Sequence, residues 1–229
     1  MAWIAALLIS SMAYADVKPL VIYIGGAKST SSQVQCWQKG AKSADSRFDF
    51  VAYPYPSGVI LDHGSERTSI GKAMVNNIVT SLAAENRPIV VVGHSSGSDL
   101  ANLLASQLVD AGKNVAHLYD LDGYGVPKNI AEKVPATCVT GHDSATGTTS
   151  LYWSESHSNC DLRDLPISGC GGARFCLHFR LTNRTAPAAL DKSNYGSDGY
   201  SGCAPNLEWL KTVAPPMRRS EGTESTTSS

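Results

Sequence analysis

The stretch Pro88-Ile-Val-Val-Val-Gly-His-Ser-Ser-Gly97 leads from a continuous apolar run into a turn of small residues. An apolar run without alternation is typical of a central parallel strand that is covered on both faces. Residues 99–110 then place their leucines along one side and are followed by Gly112, which predicts a helix. The sequence therefore predicts a strand, a tight turn and a helix in immediate succession.

Strand and helix patterns alternate on both sides of this stretch. The predicted strands are 19–24, 47–53, 88–92 and 114–121, and the predicted helices are 31–41, 68–84 and 99–110. This alternation predicts an α/β fold, a three-layer sandwich with a central, mostly parallel sheet. After residue 123 the patterns weaken. They indicate strands at 136–140 and 151–153, a strand or short helix at 175–181, and a closing helix at 206–213.

The bulk properties indicate one globular domain. The chain has 229 residues, of which 42% are hydrophobic and 17% charged, enough for a sizeable apolar core. A formal net charge of −1 gives no electrostatic attraction for nucleic acid or an anionic membrane. We predict a domain at 16–217 and a disordered tail at 218–229, because the tail is polar and rich in Ser and Thr.

The first fifteen residues and the cysteines both indicate export. The apolar run at 1–15 ends in Ala13-Tyr-Ala15, which predicts a cleaved signal peptide; a buried N-terminal helix is the alternative. The six cysteines lack the paired spacing of a zinc site and predict up to three disulfides that staple the C-terminal region. Fifteen pairings are open at this point. We therefore expect a secreted or periplasmic protein.

The Gly93-x-Ser95-x-Gly97 pattern carries the chemistry. A serine on a sharp turn between a strand and a helix exposes its hydroxyl above the sheet edge, and small neighbours let strand and helix approach closely. Ser95 is the predicted nucleophile. The predicted oxyanion hole combines the backbone N–H of Ser96 with that of Gly26 or Ala27, in the glycine loop after the first strand.

These features resemble the α/β-hydrolase superfamily over residues 20–125. The matching features are the strand with its Gly-Gly loop, the serine turn in Val92-Gly-His-Ser-Ser-Gly97, and the following helix and strand. The small size and lack of a cap domain are similar to cutinase-like proteins and other small lipases or esterases. The resemblance implies acyl hydrolysis without a metal or organic cofactor. The cysteine-rich last third departs from the family pattern.

A serine needs a histidine base that a carboxylate orients, and in this fold the acid follows the serine and precedes the histidine. Asp122 is the predicted acid because it follows directly on a strand, at the edge where catalytic groups of α/β sheets project. Asp143 is the alternative acid. Asp120 is less suitable because it lies deeper in the strand that leads to Asp122. Asp122 or Asp143 could also be an ordinary aspartate of a turn or helix cap.

His178 is the predicted base because it lies in an apolar segment next to Cys176, where packing can position a ring. His157, in a polar segment, stays open as an alternative. His142 is less suitable because it directly precedes Asp143. His94 directly precedes the serine and is interpreted as a packing or hydrogen-bonding neighbour.

We therefore expect a secreted serine carboxylester hydrolase that acts through an acyl-enzyme on Ser95, with His178 and Asp122 completing a triad. The expected substrate is a small-molecule ester or a lipid. We expect a monomer with no nucleic-acid partner and no stable membrane insertion. The alternatives are a non-catalytic binding protein, or a thioesterase or amidase on the same scaffold.

Overall fold

The computed structural model describes residues 17–56, 64–151, 159–191, 193–194, 199–200 and 203–212. The predicted signal peptide at 1–15, the predicted tail at 218–229 and the candidate base His157 lie outside these ranges.

Seven described strands form one sheet. They are β1 (Leu20–Ile24), β2 (Asp49–Tyr53), β3 (Ile89–His94), β4 (Val115–Leu121), β5 (Ala136–Asp143), β6 (Thr148–Thr149) and β7 (Asp161–Pro166). The order is β2-β1-β3-β4-β5-β6, and β7 also pairs with β5. Every pairing is parallel except that of β5 with β6. The carboxyl ends of β1, β3 and β4 therefore meet at one edge, where the predicted site lies.

Five α-helices in the described residues connect or flank these strands. They are α1 (Ser31–Ala44), α2 (Ser69–Ser81), α3 (Gly97–Asp110), α4 (Lys128–Ala131) and α5 (Arg174–Arg180), with 3₁₀ turns at Ser65–Arg67 and Glu208–Thr212. The start of α1 shows why a helix begins there. Thr30 accepts a hydrogen bond from the Gln33 backbone N–H, and the Gln33 side chain caps Thr30 in return.

Two apolar layers, one on each face of the sheet, make up most of the core, and a third, small cluster surrounds Phe179 and Tyr200. Alternate residues of β3 point to opposite layers, so Val91 packs in one and Val92 in the other. Leu104 of α3 belongs to the first layer and Trp209 to the second. Every residue of β3 is buried, which explains its unbroken apolar run. The predicted three-layer α/β sandwich with a central, mostly parallel sheet is confirmed.

The last third differs most from the sequence expectations. The segment predicted as strand or helix at 175–181 is the helix α5, and the closing helix is only a 3₁₀ turn. Leu151 lies in a turn rather than a strand, while 152 and 153 lie outside the described residues. The strand β7 has no counterpart among the predictions. Its residues are mostly exposed, so it lacks the alternation that predicts a half-buried strand.

Three disulfides cross-link this region, one of them through a strand of the sheet. They pair Cys36 with Cys203, Cys138 with Cys160, and Cys170 with Cys176, at Cα–Cα distances of 5.0, 5.7 and 5.6 Å. The first joins α1 to the chain before the last 3₁₀ turn, the second joins β5 to the start of β7, and the third joins α5 to the preceding loop. In the described part of the chain, no helix is long and apolar enough to cross a membrane.

Candidate active site

Ser95 lies in the turn between β3 and α3, as predicted. Its backbone is left-handed, with φ of 54°, and its backbone N–H donates to the Leu121 carbonyl of β4 at 3.1 Å. This bond ties the turn to the neighbouring strand and holds a conformation that non-glycine residues rarely adopt. The serine is mostly buried, with 7% of its surface exposed.

The two glycines of the turn are required by close packing. A Cβ atom on Gly93 would lie 2.4 Å from the Ser98 Cα, and one on Gly97 would lie 2.5 Å from the Gly25 carbonyl oxygen. Both distances are shorter than real Cβ contacts, so any larger residue would push the helix away from the sheet. The Gly-x-Ser-x-Gly pattern is therefore explained by steric need at both of its glycines.

The glycine loop after β1 faces the serine. A Cβ atom on Gly26 would lie 2.7 Å from the Ser95 Cβ and 3.0 Å from the His94 carbonyl oxygen. The backbone of Gly26 therefore passes directly beside the serine, where only glycine fits. Ser96, the other predicted oxyanion residue, directly precedes the first residue of α3, and the dipole at the start of this helix favours negative charge.

Asp122 follows β4 and contacts His178. Its φ is 48°, and its backbone N–H donates to the Val139 carbonyl of β5 at 2.8 Å. Its Oδ2 atom accepts from His178 Nδ1 at 2.5 Å and from the Leu151 backbone N–H at 3.0 Å. Asp122 is fully buried and His178 is 2% exposed. The structure thus brings together the predicted acid and the predicted base.

The rival residues have other partners. Asp143 accepts from the backbone N–H groups of Ala145 and Gly172, both at 3.0 Å, and so stabilises a turn. Asp120 accepts from the Gly125 backbone N–H at 2.5 Å. The Nδ1 of His142 is 3.8 Å from Asp164, and that histidine is partly exposed.

Asp120 is a second buried carboxyl close to the site. Burial raises its pKa to about 7, and the negative charges of Asp122 and Asp99 contribute, against the lowering effect of backbone N–H donors from Gly125 and Gly123. In the described part of the chain, no donor meets its Oδ1 atom with hydrogen-bond geometry. A carboxyl with this pKa is partly protonated at neutral pH, which makes Asp120 a less suitable orienting carboxylate.

Contacts at both ends of α5 hold this helix in place, and with it His178. At its start, Arg174 donates to the carbonyls of Ser150 and Leu151, at 2.8 and 3.0 Å, and Cys176 is bonded to Cys170. At its end, carbonyls that lack helical partners accept from side chains. These bonds are His94 Nε2 to His178 O, Asn206 Nδ2 to Arg180 O, Trp209 Nε1 to Leu181 O and Trp37 Nε1 to Thr182 O.

His94 connects the serine turn to α5. Since its Nε2 donates to the His178 carbonyl at 3.1 Å, its Nδ1 accepts from the Tyr200 hydroxyl at 3.3 Å. Its ring centre is 4.4 Å from that of His178. Burial, together with the nearby His178, holds the pKa of His94 well below its usual value, so the ring is neutral. Tyr200 was missed at the sequence level because no pattern around it points to the site.

In the described part of the chain, no three His, Cys, Asp or Glu side chains come together as metal ligands. The site presents instead a serine hydroxyl, an imidazole bonded to a carboxylate, and backbone N–H groups at a helix start. These groups can deprotonate a hydroxyl and stabilise negative charge on an acyl carbonyl.

Comparisons with known proteins show likeness only at the level of structure. No family model matches the chain, and no curated protein matches its sequence. The nocardicin-cluster thioesterase domain, solved with a fluorophosphonate analogue, is 12% identical, with 81% of this chain and 93% of that one covered and a TM-score of 0.48. A CIB-like hydrolase of Thermoplasma acidophilum is 17% identical, with 67% and 77% covered and a TM-score of 0.44.

A prodiginine-pathway thioesterase of Streptomyces coelicolor is 14% identical to the chain, with 72% and 89% covered and a TM-score of 0.40. None of these likenesses bears on the substrate of this chain.

Proposed function

We propose that the protein is an exported serine hydrolase that cleaves carboxylic esters through an acyl-enzyme on Ser95. The observation that carries the proposal is the buried contact between His178 and Asp122, at the sheet edge where Ser95 is held in a left-handed turn. A buried histidine–carboxylate pair beside a strained serine turn is the arrangement that nucleophilic acyl transfer requires.

The triad works by proton transfer from Ser95 to His178. Because the His178 Nδ1–H donates to Asp122, the lone pair of that ring lies on Nε2, the atom that accepts the serine proton. Asp122 then stabilises the imidazolium that forms. The same Nε2–H returns its proton to the departing alcohol, and water repeats the cycle to release the acid.

The oxyanion that forms during attack needs two backbone donors. We assign these to the N–H groups of Ser96 and of Gly26 or Ala27. Gly26 packs against the Ser95 side chain, and Ser96 precedes the first helical residue, so both backbones border the space in front of the serine.

Export is supported by the three disulfides, since such bonds form and persist outside the cytosol. The acyl-enzyme chemistry does not by itself separate oxygen esters from thioesters. A substrate panel does so, and it should contain p-nitrophenyl esters of increasing chain length and matched thioesters.

The test compares the wild type with Ser95→Ala and, as a matched control, Ser43→Ala, which removes an exposed hydroxyl that donates to the Lys39 carbonyl within α1. We expect Ser95→Ala to lower kcat/KM for the best ester by at least about 10³-fold and Ser43→Ala to leave it unchanged. A Ser95→Ala variant that retains a tenth of the activity would overturn the proposal. A folded wild type that cleaves no member of the panel would favour the non-catalytic binding protein instead.

A further inference from the structure

His94 lies between the two residues that exchange a proton in the proposed function. It directly precedes Ser95 in the chain, and its Nε2–H donates to the backbone carbonyl of His178 at 3.1 Å. Its ring centre is 4.4 Å from that of His178, and the two ring planes are tilted by 34°. One side chain therefore connects the turn that holds the nucleophile directly to the residue that supplies the base.

The two partners of the His94 ring determine where its proton lies. A carbonyl oxygen can only accept hydrogen bonds, so Nε2 carries the proton and Nδ1 has a lone pair. The Tyr200 hydroxyl lies 3.3 Å from this Nδ1 and donates to it. Because burial and the nearby His178 hold the pKa of His94 well below its usual value, the ring keeps this lone pair while His178 takes up the serine proton.

Tyr200 is itself fixed by its surroundings. Its ring packs edge-on against the ring of Phe179 in α5, with the ring centres 4.9 Å apart. The Asn183 side chain donates to the carbonyl of Gly199 at 3.0 Å, and the disulfide of Cys203 connects the chain that follows to α1. The tyrosine hydroxyl is therefore held in place by contacts on both sides of it in the chain.

The glycine loop after β1 leaves room for this hydroxyl. A Cβ atom on Gly26 would lie 2.5 Å from the Tyr200 hydroxyl oxygen and 2.7 Å from the Ser95 Cβ. Glycine is therefore required at this position by the tyrosine as well as by the serine. Since the hydroxyl and the serine border the same point of the loop, Tyr200 belongs to the site and not to a remote part of the fold.

The carbonyl of His178 is among the last four of α5, which lack a partner within the helix, so the bond from His94 helps to fix this end of the helix. We propose that His94 and Tyr200 are positioning residues. Through the bond to the His178 carbonyl, they set the distance from the His178 ring to the Ser95 hydroxyl. The proposal rests on the proposed function, in which a misplacement of about 1 Å costs up to about 10²-fold in rate.

Four variants of the full chain separate the hydrogen bonds from the packing of the rings. Tyr200→Phe removes the hydroxyl alone. His94→Phe keeps a ring but neither hydrogen bond, whereas His94→Gln keeps a donor and an acceptor but no ring. The matched control is Tyr23→Phe, which removes the hydroxyl of another buried tyrosine, bonded to the Thr182 side chain just after α5.

The first measurement is kcat and KM for the best ester of the substrate panel. We expect kcat to fall about fivefold in Tyr200→Phe and at least about tenfold in His94→Phe, with little change in KM, because proton transfer and not binding is impaired. His94→Gln should lose less than His94→Phe, and Tyr23→Phe should keep the wild-type kcat. Unchanged kcat in Tyr200→Phe, or a greater loss in His94→Gln than in His94→Phe, would overturn the proposal. Tyr200→Phe alone decides if His94→Phe does not fold.

The second measurement reads the position of His178 without turnover. Its Nδ1 proton, in the short bond to Asp122, gives a far-downfield NMR resonance that moves upfield when this bond lengthens and is assigned by its loss in Asp122→Asn. We expect an upfield shift in Tyr200→Phe but none in Tyr23→Phe. An unshifted resonance in Tyr200→Phe would overturn the proposal. A wild type that cleaves no ester, with the resonance still shifted in Tyr200→Phe, would count against the proposed function and leave the positioning of His178 in place.

Discussion

Ser95 and Asp122 are both held in left-handed backbone conformations, with φ of 54° and 48°. Such a conformation costs a non-glycine residue about 1–2 kcal/mol. At both positions the backbone N–H donates to the next strand of the sheet, to Leu121 and Val139 respectively. The parallel sheet thus offsets the strain and fixes where the two side chains leave the strand ends.

The raised pKa of Asp120 predicts that the stability of the fold depends on pH. Its pKa of about 7 in the folded chain exceeds the ordinary value of 3.8, so between these values the folded chain holds a proton that the unfolded chain has released. Stability from this residue is therefore present at low pH and is lost as the pH rises through 7. Asp120→Asn keeps an acceptor for Gly125 and has no charge to bury.

We expect the free energy of unfolding of Asp120→Asn, relative to the wild type, to rise by about 2–3 kcal/mol between pH 5 and pH 8. Urea denaturation at both pH values measures it. Asp110→Asn, at an exposed aspartate near Lys133, is the matched control and should show no such change. His94 is present in all three proteins, so its own titration cancels. A difference that stays constant with pH would contradict the raised pKa.

At the scale of elements, α5 is the part of the fold on which the site depends most. A helix of seven residues is too short to be stable alone, so its position must come from tertiary contacts. The disulfide between Cys170 and Cys176, the Arg174 hydrogen bonds and the side-chain donors at its end supply them. His178 is therefore placed by distant parts of the chain.

Two of the disulfides should contribute similarly to stability, but their removal should affect activity differently. Removing Cys170–Cys176 or Cys138–Cys160 by paired alanine substitutions should each lower the free energy of unfolding by about 2–3 kcal/mol. Only the first pair anchors α5, so only its removal should lower kcat, by about tenfold, under conditions where both variants are folded. Equal kcat values for the two variants would show that the Cys170–Cys176 bond does not position His178.

At the scale of the molecule, the features predicted correctly from the sequence are those that local residue patterns encode. The unbroken apolar run of β3 reflects burial of the strand on both of its faces. The leucine spacing of α3 reflects burial of the helix side that packs on the sheet. Both elements were therefore predicted correctly. The glycines at 93 and 97 allow α3 to pack closely against the strand ends. The nucleophile prediction rests on these same features.

The rest depends on contacts between distant residues. The strand β7 is exposed along most of its length and is defined by pairing with β5, which no local period reveals. The segment of α5 is too short for periodicity to separate helix from strand. Which of Asp122 and Asp143 contacts His178 depends on contacts between residues far apart in the sequence, and so does the disulfide pairing.

The most direct test of the account is covalent labelling of the full chain with a fluorophosphonate, which reacts with serines activated by a histidine. Intact mass and peptide mapping should show one phosphonyl group on Ser95 of the folded wild type. Asp122→Asn should slow the labelling rate by at least about 10²-fold, because His178 would lose its orienting carboxylate. Folded wild-type protein that stays unlabelled, or that is labelled at a serine other than Ser95, would contradict the account.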